Sequence, residues 1–392
     1  MIVCFIYNLK SIASISIPGV RLMNVGNRLT VLGCGNGGMA LAADLKLKGA
    51  EVALWSDPNH ASKFTKIVNS QGRIAFHDGD SSHTVKLDVI SENLEEVIEF
   101  SDVLYNCTPM VAHTAIFKQL THYLSENKPK LLINLSGVFS SIEQLLNISD
   151  SAIYHALKVF DTSTFPYACR ARNNNNVSIL GRKSDLAIAP LFSADMQYLN
   201  CIPDHLKPSK FNQVENTFKI GLMGTNAILH PATVLFNARL IDEGHTFQFY
   251  QEGISKRTSL LHESLDSERL LLAKAMGYEL STCAEDYSKF YNGDFKNIYD
   301  FNINSPSHSK VQAPTSLNHR FVTEDIAYAL TPLLSLSKLY NIKLPVIESL
   351  VTIFSTIMET DFYECGRNLQ GISVKLIDTL SQPNCNLEHI VA

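Results

Sequence analysis

The sequence predicts an α/β protein with two unlike halves, a doubly wound parallel sheet followed by a mostly helical half. Two observations carry this prediction. Short β-rich runs alternate with helix-forming runs up to about residue 200, which is typical of a parallel sheet with helices on its faces. Beyond Pro203 and Pro208 the apolar residues recur at helical spacing instead. We expect residues 1–22 to form an extension outside the fold, 23–207 the first domain and 208–392 the second.

The first half contains strands and helices in regular succession. The pattern predicts strands at residues 29–32, 51–55, 103–107 and 131–134, and helices at 39–48, 93–100 and 114–124. It also predicts a hairpin at 70–88 with a polar tip at 78–82, and strands near 151–157 and 177–180 that flank a turn of four asparagines at 173–176.

Helices dominate the second half. Apolar residues lie near one face of a predicted helix at 255–276, and Gly277 is its expected stop. Two further helices are predicted at 324–340 and 344–358. A sheet half joined to a helical half predicts two domains with a cleft between them.

Composition and charge exclude several classes of function. Of the 392 residues, 45% are hydrophobic and 18% are charged, as in an ordinary globular protein. The net charge of -5 argues against a nucleic-acid binder, and no apolar run approaches the ~20 residues needed to cross a membrane. Eight cysteines occur singly, without CxxC or Cys/His ligand spacing, so we expect no metal site. Scattered thiols favour a reducing, cytoplasmic compartment.

A glycine-rich turn follows the first strand. Gly33, Gly35 and Gly38 satisfy G-x-G-x-x-G between a strand and a helix. This motif needs a tight turn at its first glycine, approach of a pyrophosphate at its second and close packing at its third. The helix N-terminus offers N–H groups to the phosphates. We therefore expect a Rossmann-like dinucleotide-binding domain in which Asn36 and Gly37 also contact the cofactor. A turn without a ligand is the alternative.

The choice of cofactor depends on the end of the second strand. Asp57 follows Gly38 by about 20 residues, where a carboxylate can accept hydrogen bonds from a ribose hydroxyl. No arginine stands beside it, which favours NAD(H) over NADP(H). Three alternatives remain open: the strand ends at Ser56, Lys63 or Lys66 reaches back to a 2′-phosphate, or Asp57 is only a turn residue before a proline.

Two polar groups stand out in the helical half. His230 and Pro231 interrupt an apolar stretch, and proline suits the first turn of a helix, so we expect His230 at a helix mouth facing the cleft. A buried structural histidine is the alternative.

The second group is the segment 319–325. Thr323 is the expected N-cap of a helix whose first turn holds Glu324 and Asp325. That interpretation accounts for the two acids and leaves Arg320 without a role.

Several stretches occur in the order of one known family, from about residue 28 to 373. They are Val31–Gly38, Thr108–His113, Asp161–Arg170, Asn226–Pro231, Phe249–Gly253, Leu265–Arg269, His319–Asp325 and Gly366–Leu369. On these stretches the chain resembles the opine dehydrogenases, the octopine/nopaline dehydrogenase family of NAD(P)-dependent oxidoreductases. Two positions depart from the family pattern: Asp161 stands where Glu is expected, and Ala329 where Gly is expected.

The resemblance implies a reductive condensation. The amine of an amino acid attacks the carbonyl of a 2-oxo acid, and the imine takes a hydride from NAD(P)H. It further implies that His230 is the general acid/base, Asp325 its orienting partner and Arg320 the group that binds a substrate carboxylate. Imidazole suits proton transfer near neutral pH, and a planar guanidinium suits a carboxylate.

By the same resemblance, other residues belong to the site. Thr108 and Pro109 are expected to contact the cofactor. His113, in the loop after a strand at the mouth of the cleft, is expected beside cofactor or substrate, and so are Tyr167 and Arg170. Structural packing is the alternative for the last two.

Two other functions remain open. One is a 2-oxo/2-hydroxy dehydrogenase like glycerol-3-phosphate dehydrogenase or ketopantoate reductase, which are expected to use a lysine of the helical half. Lys219 and Lys256 exist there but match no motif. The other is a non-catalytic NAD-binding protein, which His230, Arg320 and Asp325 disfavour. The expected partners are an amino acid and a 2-oxo acid; the oligomeric state stays open, with a homodimer as one option.

Overall fold

The computed structural model describes residues 26–60, 64–148, 150–172, 175–306, 308–309 and 311–391. The predicted extension at 1–22 lies outside the described residues, as do the first two asparagines of the predicted turn at 173–176.

Strands within the described residues form two sheets. The strands are β1 (Arg28–Leu32), β2 (Glu51–Trp55), β3 (Arg73–Asp78), β4 (Ser81–Lys86), β5 (Val89–Ser91), β6 (Val103–Asn106), β7 (Lys130–Asn134), β8 (Leu157–Thr162), β9 (Tyr167–Arg172), β10 (Asn176–Arg182), β11 (Asp185–Pro190) and β12 (Lys210–Gln213). The large sheet has the order β12-β11-β8-β7-β6-β1-β2-β5, and the small sheet the order β4-β3-β10-β9. The large sheet is parallel except where β11 meets β8.

Helices follow the strands of the first half and fill the second half. They are α1 (Asn36–Leu47), α2 (Phe64–Asn69), α3 (Leu94–Phe100), α4 (Met110–Thr121), α5 (Ser140–Asn147), α6 (Ser151–Ala156), α7 (Thr217–Leu222), α8 (Asn226–Phe236), α9 (Ala238–Asp242), α10 (Lys256–Ala275), α11 (Cys283–Tyr291), α12 (Ile298–Asn304), α13 (Arg320–Thr323), α14 (Thr331–Leu339), α15 (Pro345–Ile357), α16 (Phe362–Cys365), α17 (Val374–Leu380) and α18 (Glu388–Val391). Short 3₁₀ segments occur at Pro58–His60, Ser193–Cys201 and Asp204–Leu206. None of the described helices is long and apolar enough to span a membrane.

The predicted α/β half is confirmed, and its central turn shows why glycine is needed there. Gly33 has a φ of 105°, in the left-handed region that glycine tolerates best. A Cβ atom on Gly38 would collide with the carbonyl oxygen of Gly33, so α1 can pack this close to β1 only with glycine there. The strand order reverses between β1 and β6, and such a switch point opens a crevice at the carboxyl ends of the strands.

The predicted hairpin at 70–88 is confirmed as β3 and β4. It does not stand alone, because β10 pairs with β3 in parallel and with β9 in antiparallel. The small sheet formed in this way packs over α1.

Two predictions around the middle of the chain are wrong. Residues 151–156 form a helix because the Asp150 side chain caps its first turn, and the strand begins only at Leu157. The large sheet also continues past residue 207, since β12 at Lys210–Gln213 pairs with β11. Helical structure therefore begins at Thr217 rather than directly after Pro208. The division of the chain into domains stays a prediction.

The long helix predicted at 255–276 is confirmed. Ser255 and Thr258 cap its start reciprocally, and Gly277 ends it with a φ of 84°.

The helix predicted at 324–340 differs from the structure in two ways. It starts at Arg320, because the His319 side chain rather than Thr323 accepts from the first turn. It is then widened by a π-turn at Ile326–Leu330 before α14. The last predicted helix, at 344–358, is observed at Pro345–Ile357.

Contacts of Glu324 and Arg367 are among those that join the halves of the molecule. The backbone N–H of Met110 donates to Glu324 Oε1 at 2.6 Å. Arg367, which is only 1% exposed, donates to the carbonyl oxygens of Gly137 and Val138 and forms an ion pair with Glu143 at 3.0 Å. A buried arginine with these partners is costly to displace, so these contacts hold the helical half against the sheet half.

Candidate active site

A cleft of about 630 Å³ lies between the strand ends and the helical half. Most of the predicted site residues line it: Gly33, Gly35, Asn36, Gly37, Asp57, Thr108, Pro109, Tyr167, Arg170, His230 and Arg320. We call the side formed by the strand ends and the loops after them the sheet wall, and the side formed by α8, α13 and their neighbours the helical wall.

The glycine turn presents backbone groups to the cleft. Gly35 is the N-cap of α1, and no side chain caps the helix in its place. A Cβ atom on Gly35 would meet no protein atom within 4 Å, so the space above this residue is open, whereas Gly37 is covered by the Phe165 ring. An open helix N-terminus with room for close backbone approach fits the pyrophosphate of a dinucleotide.

Asp57 lines the cleft just beyond β2, as the sequence predicts. Its Oδ1 atom accepts from the backbone N–H and from the side-chain amide of Asn59, at 2.8 and 3.0 Å. Asp57 is thus a turn residue and a cleft residue at once, and its contact with a ribose hydroxyl stays a prediction. Lys66 does not line the cleft, and Lys63 lies outside the described residues.

The expected position of His230 at a helix mouth is wrong. The helix α8 begins at Asn226, which makes His230 its fifth residue and places Pro231 inside it. Proline at this point forfeits the bond that its missing N–H would have made to Ala227 and crowds the preceding turn, yet the helix continues to Phe236. His230 is 8% exposed, so its environment is set by side chains of the helical wall rather than by the helix terminus.

His230 is held by hydrogen bonds on both ring nitrogens. Nδ1 lies 2.6 Å from Asp325 Oδ2, and Nε2 lies 2.8 Å from the hydroxyl of Tyr250. The ring also stacks on Phe321, with 3.9 Å between centroids. A carboxylate can only accept, so the partners assign the N–H of neutral His230 to Nδ1 and leave Nε2 to accept from Tyr250.

Tyr250 is a site residue that the sequence reasoning missed. It lies in one of the stretches that match the family, and this match is the sequence signal that could have identified it. Burial raises the pKa of its hydroxyl well above the usual range, against a smaller lowering by the Arg170 charge. Tyr250 therefore stays protonated at neutral pH and can donate to His230.

Arg320 stands in the open part of the cleft. Its side chain is 61% exposed, and its Nε lies 2.8 Å from Glu324 Oε2. Glu324 in turn is fixed by the N–H of Met110, on the opposite side of the cleft. This ion pair orients the guanidinium from one side and leaves it accessible to a ligand carboxylate.

His113 does not lie in a loop or in the cleft, so that prediction is wrong. It is part of α4, which starts at Met110 directly after Pro109, and it is fully buried. Its Nδ1 lies 2.7 Å from Ser140 Oγ and its Nε2 lies 3.0 Å from the carbonyl oxygen of Thr108. Burial, helped by the Arg367 charge, lowers the pKa of His113 to about 3. It supports the cofactor-side loop from behind as a neutral residue.

Other predicted residues divide between packing and the cleft. Tyr167 lines the cleft with one edge, but its hydroxyl donates to Asp44 Oδ2 at 2.6 Å, in line with the packing alternative. Asp161 is fully buried and accepts from Asn134 and Ser141, so this departure from the family supports the sheet. Ala329, the second departure, does not line the cleft.

Neither lysine of the rival dehydrogenase hypothesis reaches the site. Lys219 bonds to Glu215 at 2.9 Å, and Lys256 lies over the Tyr299 ring. Neither of them lines the cleft.

Two further cleft residues had no sequence motif to mark them. Lys183, in the loop between β10 and β11, donates to Thr164 Oγ1, and its nitrogen lies 4.8 Å from the Phe290 ring centroid. His308 stacks on Tyr250 with 3.8 Å between ring centroids.

Comparison with known proteins points to the family that the sequence motifs resemble. Residues 213–358 match the family described as NAD/NADP octopine/nopaline dehydrogenase, alpha-helical domain, and residues 28–156 match the NAD-dependent glycerol-3-phosphate dehydrogenase N-terminus. The opine dehydrogenase of Arthrobacter sp. (strain 1C) is 28% identical over 349 residues, which cover 88% of this chain and 94% of that protein.

The chain is thus similar to the opine dehydrogenases in its helical half and over most of its length. It is therefore an NAD(P)-dependent oxidoreductase that acts on CH–NH donors.

Solved structures agree on the fold. Octopine dehydrogenase with NADH and L-arginine has a TM-score of 0.69 at 18% identity, over 93% of this chain and 98% of that one. Yersinopine dehydrogenase with NADP+ bound has a TM-score of 0.67 at 14% identity, over 93% and 94%. Because these two relatives hold different cofactors, the family alone does not decide between NADH and NADPH.

Proposed function

We propose that this chain joins an amino acid to a 2-oxo acid by NAD(P)H-dependent reductive condensation, with His230 as general acid/base, Asp325 as its positioning residue and Arg320 as a carboxylate-binding residue. The observation that carries this proposal is the buried pair of His230 and Asp325, 2.6 Å apart, beside Arg320 in a cleft whose other wall is the glycine turn. An isolated structural histidine would need neither the cleft nor the arginine.

His230 is the proposed proton donor and acceptor in the reaction. The amine must lose a proton as it attacks the carbonyl, and the hydroxyl of the resulting carbinolamine must gain one before it leaves as water. The Nε2 atom and the Tyr250 hydroxyl form one hydrogen-bonded unit at the cleft, so either proton can enter or leave there. Asp325 holds the ring by Nδ1 and balances the charge of the imidazolium formed during the step.

Arg320 and the buried surroundings orient the reactants. A guanidinium already fixed through Nε to Glu324 loses little freedom when it binds a carboxylate. Its exposure in the cleft puts that carboxylate within the same space as His230.

The sheet wall fits the cofactor. Gly33, Gly35 and the N-terminus of α1 would hold the pyrophosphate, and Thr108 and Pro109, at the end of the neighbouring strand, would line the path of the nicotinamide half. When bound, the cofactor supplies the hydride that reduces the imine. We propose a preference for NADH, supported by the Asp57 carboxylate at the end of β2, which suits two ribose hydroxyls and repels a 2′-phosphate.

The substrates are proposed as classes. Octopine dehydrogenase structures hold L-arginine and, separately, pyruvate, so an amino acid and a 2-oxo acid are the substrate classes to test here.

The decisive experiment is a screen of NADH and NADPH oxidation across amino acids, each paired with pyruvate or another 2-oxo acid. We expect oxidation only when both substrates are present, and a secondary amine with two carboxylates as the product by mass spectrometry. Oxidation with a 2-oxo acid alone would support the 2-hydroxy acid dehydrogenase alternative. Cofactor binding without turnover of any pair would support a sensor instead.

A further inference from the structure

We propose that Arg170 and Lys183 form a second carboxylate-binding subsite, which holds the substrate carboxylate that Arg320 does not hold. This inference rests on the proposed function, whose product carries two carboxylates, of which Arg320 is proposed to bind one. It assigns a binding role to Lys183, and it gives Arg170 a defined ligand.

Lys183 is a basic side chain that is held in place without a carboxylate partner among the described residues. Its ammonium donates to Thr164 Oγ1 and lies over the Phe290 ring. The backbone N–H of Lys183 donates to the carbonyl oxygen of Pro166 at 3.0 Å, which fixes the start of the side chain. Within the described residues, no carboxylate oxygen is recorded within 4.0 Å of its nitrogen. Burial lowers the pKa of Lys183 to about 7, although the Asp286 charge opposes this. A fixed, poorly solvated ammonium gains more from an arriving anion than a free surface lysine does.

Arg170, on β9, also has no carboxylate partner among the described residues. It is exposed to the cleft, and its Nη1 atom donates to the neighbouring carbonyl oxygen of Cys169 at 3.2 Å. The structure records no ion pair between Arg170 and a carboxylate of the described residues. Arg320 differs, since Glu324 already shares its charge at 2.8 Å. The two sheet-wall cations therefore present the less compensated positive charge.

Both cations line the same cleft as His230, Tyr250 and His308. The charges of Lys183 and Arg170 both act on His308, whose pKa is lowered to about 3 by burial first, then by His230 and these two cations. The Arg170 charge also acts on Tyr250. Tyr250 stacks on His308 and contacts His230 Nε2, so the two cations share the cleft with the proton-transfer group.

A substrate carboxylate fits this place better than a phosphate of the cofactor. The pyrophosphate has its own cradle at Gly35 and the N-terminus of α1. Arg170 and Lys183 instead line the part of the chain's cleft that also includes His230 and Tyr250 of the helical wall. With Arg320 on the helical wall, a substrate pair would be held by one carboxylate on each side of the imine.

The test measures KM for the amino acid, the 2-oxo acid and NADH in Lys183→Met, Arg170→Met and Arg320→Lys variants, using the substrate pair found in the screen. We expect Lys183→Met and Arg170→Met each to raise the KM of one substrate by about 10- to 100-fold, because a charge-assisted hydrogen bond is lost. Arg320→Lys should raise the KM of the other substrate. Lys183→Arg should restore most of the lost affinity, which a purely structural role would not predict.

Lys289→Met is the matched control. Lys289 lies on α11, is exposed, and does not line the cleft, so its loss should leave every KM unchanged. A rise in the KM of NADH alone in Lys183→Met would show that the subsite serves a cofactor phosphate, and would overturn the inference. Unchanged substrate KM values in an active enzyme would overturn it too while leaving the proposed function intact. A wild-type enzyme that turns over no substrate pair would overturn both.

Discussion

The two walls of the cleft bind by different means. For the cofactor's pyrophosphate the sheet wall offers backbone: an uncapped helix N-terminus and a glycine whose missing side chain leaves open space. The helical wall uses side chains: a buried histidine whose partners come from positions 20 and 95 residues away. Backbone recognition needs only a short local sequence, so it recurs across many enzymes. Side-chain chemistry depends on long-range packing, and this is where the particular reaction is decided.

The largest expected effect comes from the helical wall. His230→Ala should lower kcat by about 10²–10⁴, the usual contribution of a general acid/base. NADH binding, followed by fluorescence titration, should remain, because the cofactor belongs to the sheet wall. His245→Ala is the control, since His245 is exposed and outside the cleft. Near-normal turnover of His230→Ala with every active substrate pair would refute the catalytic assignment.

Asp325→Asn should act through His230. The amide cannot balance an imidazolium and no longer selects the Nδ1–H form of the ring, so kcat should fall by about 100-fold. The double variant with His230→Ala should be scarcely slower than His230→Ala alone, because the two residues act as a unit. If the fold loss of kcat in the double variant equals the product of the two single losses, Asp325 works independently of His230.

Tyr250→Phe should give a smaller loss on the same wall. It removes the donor to Nε2 and keeps the ring stacked on His308, so kcat should fall by roughly tenfold with little change in melting temperature. Tyr123→Phe, on an exposed tyrosine, is the control. Equal kcat in wild type and Tyr250→Phe would assign this hydroxyl to packing only.

On the sheet wall, Asp57→Ala should change selectivity rather than rate. Wild type is expected to prefer NADH in kcat/KM, and the variant should narrow the gap to NADPH severalfold because the repulsion of a 2′-phosphate is gone. Asp80→Ala, in the exposed turn of the small sheet, should leave the ratio unchanged. A wild-type enzyme that clearly prefers NADPH would contradict the role of Asp57.

The smallest effect concerns His113, which supports the sheet wall from behind. Its pKa is about 3 in the folded chain and about 6.5 when unfolded, so between these values the unfolded chain binds the extra proton. Its contribution to stability is complete above pH 6.5 and is lost as the pH falls, by up to about 1.4 kcal/mol per pH unit. In urea unfolding, His113→Gln should be less stable at pH 7 and should lose less stability between pH 7 and 5. If the free energy of unfolding of the variant changes with pH as it does in wild type, His113 does not titrate in this way.

The sequence predicts a structural element well where neighbouring residues determine it. The glycine turn and β2 follow from a few neighbouring residues, and the observed bounds of β2 equal the predicted ones. The small sheet could not be foreseen, because β3 and β10 pair although about a hundred residues separate them, and periodicity does not name a partner strand.

The candidate site shows the same limit. His230, Asp325 and Arg320 could be proposed from the resemblance, but the proline after His230 suggested a helix start that the structure places five residues earlier. Lys183 could not be found, since a single lysine between two strands carries no motif. Its place in the cleft arises only when the loops after β8 and β10 come together beside α11.

The π-turn at Ile326–Leu330 gives this segment an exact residue count. A π-turn holds one residue more than an α-helical turn, and each residue of an α-helix turns the chain by about 100°. Deleting one residue there would restore an ordinary helix and rotate Arg320, Glu324 and Asp325 away from His230 and Met110. Insertions and deletions should therefore be tolerated in exposed loops such as the tip of the β3–β4 hairpin, while the stretch from Arg320 to Thr331 should keep its length in any active variant.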